Sequence, residues 1–214
     1  ESGWLALRRE QTPLALQHFQ SALDQIDRQK GPPLDRAGVL HGRGAARRAA
    51  GELAAAAADL DASIALYRRY SPDGSDLAQA LYSVGQLEQQ RARPEAARAA
   101  YCAATDVLDR ASRRVGGDSL AEAEFRSRFA EVYRACLQTE LDLGHREAAF
   151  MVLERSRARS FLDALEQRTP VQGEPAAAAW LQRWAGVRQL RASLQTALMQ
   201  PLDSANRQQL VQAV

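Results

Sequence analysis

Lysine is almost missing from this chain: Lys30 is the only one, and the other basic residues are arginines. Aromatics make up 6% of the 214 residues, and there are only two cysteines. No apolar run reaches the roughly 20 residues that a membrane-crossing helix needs, so a membrane partner is not expected. Nor does any segment alternate Val, Ile and Thr with polar residues, which leaves strands with little support. The 28 basic residues are interspersed with 26 acidic ones, for a net charge of +2. Proteins that bind nucleic acid tend to gather positive charge on one face, so nucleic acid is disfavoured as a partner. Cys102 and Cys136 lack CxxC or Cys/His spacing and read as small buried apolar side chains rather than ligands or a disulfide. That reading fits a reducing compartment. With no charged-then-apolar leader, the expected location is the cytoplasm. Both termini fall inside helical patterns, so the chain reads as a fragment whose parent could carry a leader. No residue cluster has the spacing of a metal site or a cofactor cradle, and none is assigned.

Alanine supplies much of the 46% hydrophobic content. It favours helix and lets backbones approach closely, which suits thin helices packed in pairs. Three stretches align without gaps: "LHGRGAARRAAGELAAAAADLDASI" (40–64), "LYSVGQLEQQRARPEAARAAYCAAT" (81–105) and "YRACLQTELDLGHREAAFMVLERSR" (133–157). Each opens with a large apolar residue (Leu40, Leu81, Tyr133) and has a small one sixteen later (Ala56, Ala97, Ala149). A large residue follows four further on (Leu60, Tyr101, Leu153), then a small one three later (Ser63, Ala104, Ser156). Ala15, Phe19 and Ala22 repeat the end of this pattern in an incomplete first copy. Gly44 and Gly85 share the position four after the opening residue, where Leu137 departs. A small residue on one helix admits the large residue of the next, so the order describes helix hairpins. Gly51, Pro94 and Gly144 mark their corners.

This register resembles the tetratricopeptide repeat, whose unit is about 34 residues. Equivalent alanines here lie farther apart: 41 residues from Ala15 to Ala56, 41 to Ala97 and 52 to Ala149. The longer units imply long helices or inserted loops. The resemblance implies an all-α fold, a right-handed α-solenoid of such hairpins followed by a long C-terminal helix. The repeats are expected over 1–166, in units at about 1–30 (partial), 36–70, 77–112 and 121–166. A linker at 167–175 and a helical extension over 176–214 would follow. In tetratricopeptide proteins the first helix of each hairpin lines a concave groove. Mapping those positions implies partner-binding roles for His41, Arg48, Gln79, Tyr82, Gln86, Gln89, Arg134 and Gln138, with Trp4 and Arg8 added from the first copy. Amide and phenol groups can satisfy the backbone of an extended peptide without a charged partner. A polar helix face has the same composition whether or not anything binds it.

Residues 143–165, "LGHREAAFMVLERSRARSFLDAL", carry a second and more specific resemblance. Glu147, Ala148, Glu154, Ser156, Arg157, Ala158, Arg159, Phe161, Leu162 and Asp163 match the segment that closes the array in bacterial tetratricopeptide–CHAT proteins. CHAT is a caspase- and separase-like peptidase domain with a His/Cys dyad, and it normally follows such an array. It would then be a C-terminal partner in cis, absent from this chain. No residue here is carried over as catalytic, because His18, His41 and His145 have no cysteine partner in a strand-bearing scaffold. The expectation is a protein–protein interaction scaffold, the regulatory arm of a cysteine peptidase and not itself an enzyme. A stand-alone adaptor or chaperone-like module is the alternative, and self-association through truncated ends is a further possibility.

Overall fold

In the computed structural model, which describes residues 2–112 and 119–155, every regular element is an α-helix and no strand occurs among those residues. The expected all-α class is therefore what the described residues have. The proposed linker and C-terminal helix lie outside them, as do Ser156, Arg157, Arg159, Phe161, Leu162 and Asp163. Among the described residues, no helix is long and apolar enough to cross a membrane.

The chain divides into two compact units, Glu1–Gly116 and Gly117–Val214. The first holds α1 (Ser2–Arg8), α2 (Thr12–Gln29), α3 (Pro33–Ala49), α4 (Leu53–Tyr70), α5 (Ser75–Gln90) and α6 (Pro94–Ser112). Each of these helices except the last packs on the one that follows it, and α3 also touches α1 and α5. The second unit holds α7 (Ser119–Asp142) and α8, described over 146–155.

Prolines open several of these helices. Pro33 and Pro94 are the first residues of α3 and α6, and Pro13 is the second of α2. A missing N–H costs nothing there, because the first N–H groups of a helix have no internal partner. Five of the C-terminal ends share one geometry. At α1, α2, α3, α5 and α7 a left-handed residue ends the helix: Glu10, Lys30, Gly51, Ala92 and Gly144. In each case its N–H bonds back three residues and the next N–H bonds back five, as in Glu52 N to Arg47 O at 2.9 Å, Arg93 N to Glu88 O at 2.9 Å and His145 N to Glu140 O at 2.8 Å. These paired bonds are Schellman caps, and they satisfy carbonyls that the helix end would otherwise leave open. The residue after the cap then accepts the first bond of the next helix, from Ala15, Ala56, Ala97 and Ala149 in turn.

Those four alanines are the small residues of the sequence register, and all four have 0% exposure. The large residues four later, Phe19, Leu60, Tyr101 and Leu153, are buried as well. What the first three fill is a gap left by glycine. A Cβ on Gly44 would lie 2.9 Å from Leu60 Cγ, one on Gly3 2.7 Å from Phe19 Cε1, and one on Gly85 would overlap the Tyr101 ring. Phe19 also blocks a Cβ at Gly42, so it wedges α1 and α3 together. Ser63, the next small residue, donates its hydroxyl to Ala37 O at 2.8 Å and closes α3 onto α4.

Neither Cys102, on α6, nor Cys136, on α7, is a free thiol; each is in a disulfide. This corrects the expectation of two buried apolar thiols, and the support it lent to a reducing compartment falls with it. A disulfide needs nearby Cα atoms in space, which sequence spacing does not reveal.

The caps carry a test. Ala92 sits at φ 56°, where its equivalents Gly51 and Gly144 have φ 81° and 79°. Left-handed backbone costs a Cβ-bearing residue about 1–2 kcal/mol, and glycine gives back part of that through its freer unfolded chain. Ala92→Gly should raise the urea midpoint by the equivalent of about 0.5–1 kcal/mol. A lowered midpoint contradicts the cap assignment.

Candidate functional site

Eight of the groove residues expected from the sequence fall in the first unit, on α1, α3 and α5. His41, Arg48, Gln79, Tyr82, Gln86 and Gln89 lie on α3 and α5, which are in contact. Along α5 the polar residues recur at three, four and three positions, which keeps them on one helical face.

Their environments differ sharply. His41 is buried at 6% exposure, its Nε2 2.9 Å from Ser83 Oγ on α5, and the Trp4 ring meets it edge-on at 5.1 Å. Trp4 in turn packs edge-on against Phe19 at 5.7 Å. His41 therefore ties α1, α3 and α5 together from inside, and its ring is not presented to solvent. Gln79, Tyr82 and Gln86 are half-buried and Gln89 is exposed. The Tyr82 ring leans on Tyr101 at 5.3 Å, and the Tyr101 hydroxyl donates to Gln89 Oε1 at 2.9 Å. Tyr101 thus both plugs the glycine gap on α5 and orients the Gln89 amide. Arg48 is half-buried, with its Nε sealed from solvent and without a hydrogen-bond partner. In the second unit, Arg134 is exposed and half-buried Gln138 donates to Asp142 Oδ1 at 2.9 Å along the face of α7.

Sequence reasoning passed over an ionic cluster on the other side of α3. Buried Asp59 on α4 receives Arg43 Nε at 2.8 Å, Arg43 Nη2 at 2.6 Å and Arg47 Nη1 at 2.8 Å. Arg43 also reaches Gln20 Oε1 on α2 at 2.6 Å, so three helices meet there. The two-pronged Arg43 contact satisfies both carboxylate oxygens, which is what makes burying them tolerable. The available signal was Asp59 itself, an acidic residue directly after the alanine run of α4. Also unread were the contacts that straddle the caps: Arg47–Glu52 at 3.7 Å, Glu88–Arg93 at 3.6 Å and Glu140–His145 at 2.9 Å. Each joins residues five apart across a corner, with the sign reversed in the first.

Burial pushes the pKa of His41 down to about 4. Desolvation also raises the phenols of Tyr67 and Tyr101 to about 12, helped by Asp76 and Tyr82 respectively and opposed at Tyr101 by Arg48. The imidazole of His41 is bonded to the Ser83 hydroxyl, and both side chains are buried. What this face offers is amides, a phenol, aromatic rings and a guanidinium, which are recognition groups.

No family model matches the chain, and no curated protein matches it.

The buried histidine makes stability depend on pH with a fixed sign. Its unfolded value near 6.5 exceeds its folded value of about 4, so between them the unfolded chain holds more protons. Stability is full above about pH 6.5 and falls as pH drops toward 4, by about 3 kcal/mol at the limit. His41→Gln keeps a donor for Ser83 and should flatten the slope of urea midpoint against pH between 6.5 and 4.5. Parallel slopes for the two proteins would count against this environment.

Proposed function

We propose that the chain is a protein–protein interaction arm of tetratricopeptide-like hairpins stacked as a solenoid, with a peptide-binding face on the first helix of each hairpin. What carries the reading is a repeated unit. Glycine on the first helix meets a large side chain on the second at Gly3–Phe19, Gly44–Leu60 and Gly85–Tyr101. The capped corners recur with it. Hairpins that bury their large residues this way leave one polar face of each first helix available, and stacking them aligns those faces. The α5 face, with half-buried Gln79, Tyr82 and Gln86, suits the backbone of an extended peptide.

The resemblance of residues 143–165 to the segment closing tetratricopeptide–CHAT arrays supports a place for this arm beside a C-terminal cysteine peptidase, as its regulatory part. A stand-alone adaptor is the second reading. A gene continuing beyond Val214 into a strand-rich domain with separated His and Cys favours the first, and an early stop favours the second. Nucleic acid suits the arm poorly, because Arg43, Arg47 and Arg91 are already held by carboxylates.

Tyr82 packs on Tyr101, so its removal disturbs the interior. Gln79 and Gln86 offer a cleaner test. Gln79→Ala with Gln86→Ala should weaken capture of peptides from an immobilised library about tenfold or more, with unchanged melting. Undiminished capture removes the α5 face from the binding surface.

A further inference from the structure

Arginine supplies nearly all the positive charge of this chain, and its partly buried copies in the first unit are matched with carboxylates. Arg43 and Arg47 share Asp59, and Arg91 holds Glu88. Arg48 breaks the rule. Its Nε is shielded and unbonded, and among the described residues no salt bridge reaches it. Leaving a buried donor unsatisfied is costly, so such a group calls for a physical reason. The C-terminal turn of α3 supplies a partial negative charge that favours a cation there without neutralising it.

Arg48 lies within electrostatic reach of Tyr101. Its charge is felt at the Tyr101 phenol, where it opposes the rise caused by burial and by Tyr82. Tyr101 is bonded to Gln89, and Gln89 occupies on α5 the register position that Arg48 occupies on α3. Glu52, the acidic residue nearest Arg48 in sequence, is engaged with Arg47, and Glu88, next to Gln89, with Arg91 and Arg93. A lone guanidinium therefore sits beside a phenol and an amide at one end of the α5 polar stripe. From Gln79 to Gln89 that stripe runs roughly 15 Å, the span of four or five extended residues.

We propose that Arg48 anchors a single carboxylate, the side chain of an Asp or Glu in an extended partner peptide whose backbone lies along α5. This rests on the peptide-arm reading and adds the chemistry of its ligand. One cation fits one negative charge. A phosphate dianion or the repeated charges of a nucleic-acid backbone would want several, and the neighbouring arginines are already neutralised. With Nε sealed, the terminal Nη groups of a half-buried side chain are what remain to be reached. A carboxylate at the tip of a side chain reaches that depth more easily than a main-chain terminus lying flush on the helices.

The test uses immobilised ten-residue peptides of Gly, Ser and Ala, all amidated at the C-terminus and carrying one Glu, one Gln or one phosphoserine. A fourth peptide has no acidic residue but a free C-terminal carboxylate. The 214-residue chain and its Arg48→Gln, Arg48→Lys and Gln79→Ala/Gln86→Ala variants are passed over them, with melting measured for each. The Glu peptide should be retained about tenfold over the Gln peptide, the ratio expected for one charge-assisted contact. Arg48→Gln should bring that ratio to about one without a change in melting, and Arg48→Lys should keep part of it. Equal retention of Glu and Gln peptides, or a Glu preference that survives Arg48→Gln, overturns the proposal. So does stronger retention of the phosphoserine or free-terminus peptide. Capture that depends on Gln79 and Gln86 but shows no Glu preference overturns the anchor and leaves the peptide arm standing. Absence of all capture overturns both.

Discussion

A bulky side chain lying where a glycine has no side chain is the contact on which the rest of this architecture depends. Phe19 against Gly3 and Gly42, Leu60 against Gly44 and Tyr101 against Gly85 bring the two helices of each hairpin closer than any Cβ would permit. The same approach buries Ala15, Ala56 and Ala97 completely. Dispersion and the removal of apolar surface from water both scale with such closeness. With few aromatics to fill space, the chain gains its interior by shrinking the gaps instead.

Close approach needs a corner that returns the second helix on a set path. The left-handed cap residue and its two back-bonds do this at Gly51, Ala92 and Gly144 in the same way, and contacts between side chains five apart straddle each corner. Once the corner and the glycine gap are set, the outward face of the first helix is left to polar residues. The interior also reaches into that face. Tyr101 serves both, plugging the gap and holding Gln89, while His41 is drawn inward between Trp4 and Ser83.

The helical class and the small–large register were legible because they rest on residue size at fixed spacing, which one sequence displays directly. Gly3 fits the same position as Gly44 and Gly85, and was overlooked because the first copy starts too late to align. Pro94 opens the helix after a corner that Ala92 makes, and an alanine at positive φ leaves no mark in composition. His41 counted as a groove residue because register alone does not say that Trp4 covers it. The Asp59 cluster stayed hidden because its partners are distant in sequence and meet only through packing. The proposed peptide face is a matter of chemistry on an exposed surface, and surface polarity reads the same with or without a ligand.

The glycine gap is tested most directly by a double-mutant cycle between Gly85 and Tyr101, read as unfolding free energy in urea. Gly85→Ala should cost about 1–3 kcal/mol in the presence of Tyr101, since the added methyl overlaps the ring. In a Tyr101→Val background the same substitution should cost far less, giving a coupling of about 1 kcal/mol or more. Equal costs in the two backgrounds would mean that the ring does not occupy the space the glycine leaves, and the hairpin packing described for the first unit would be contradicted.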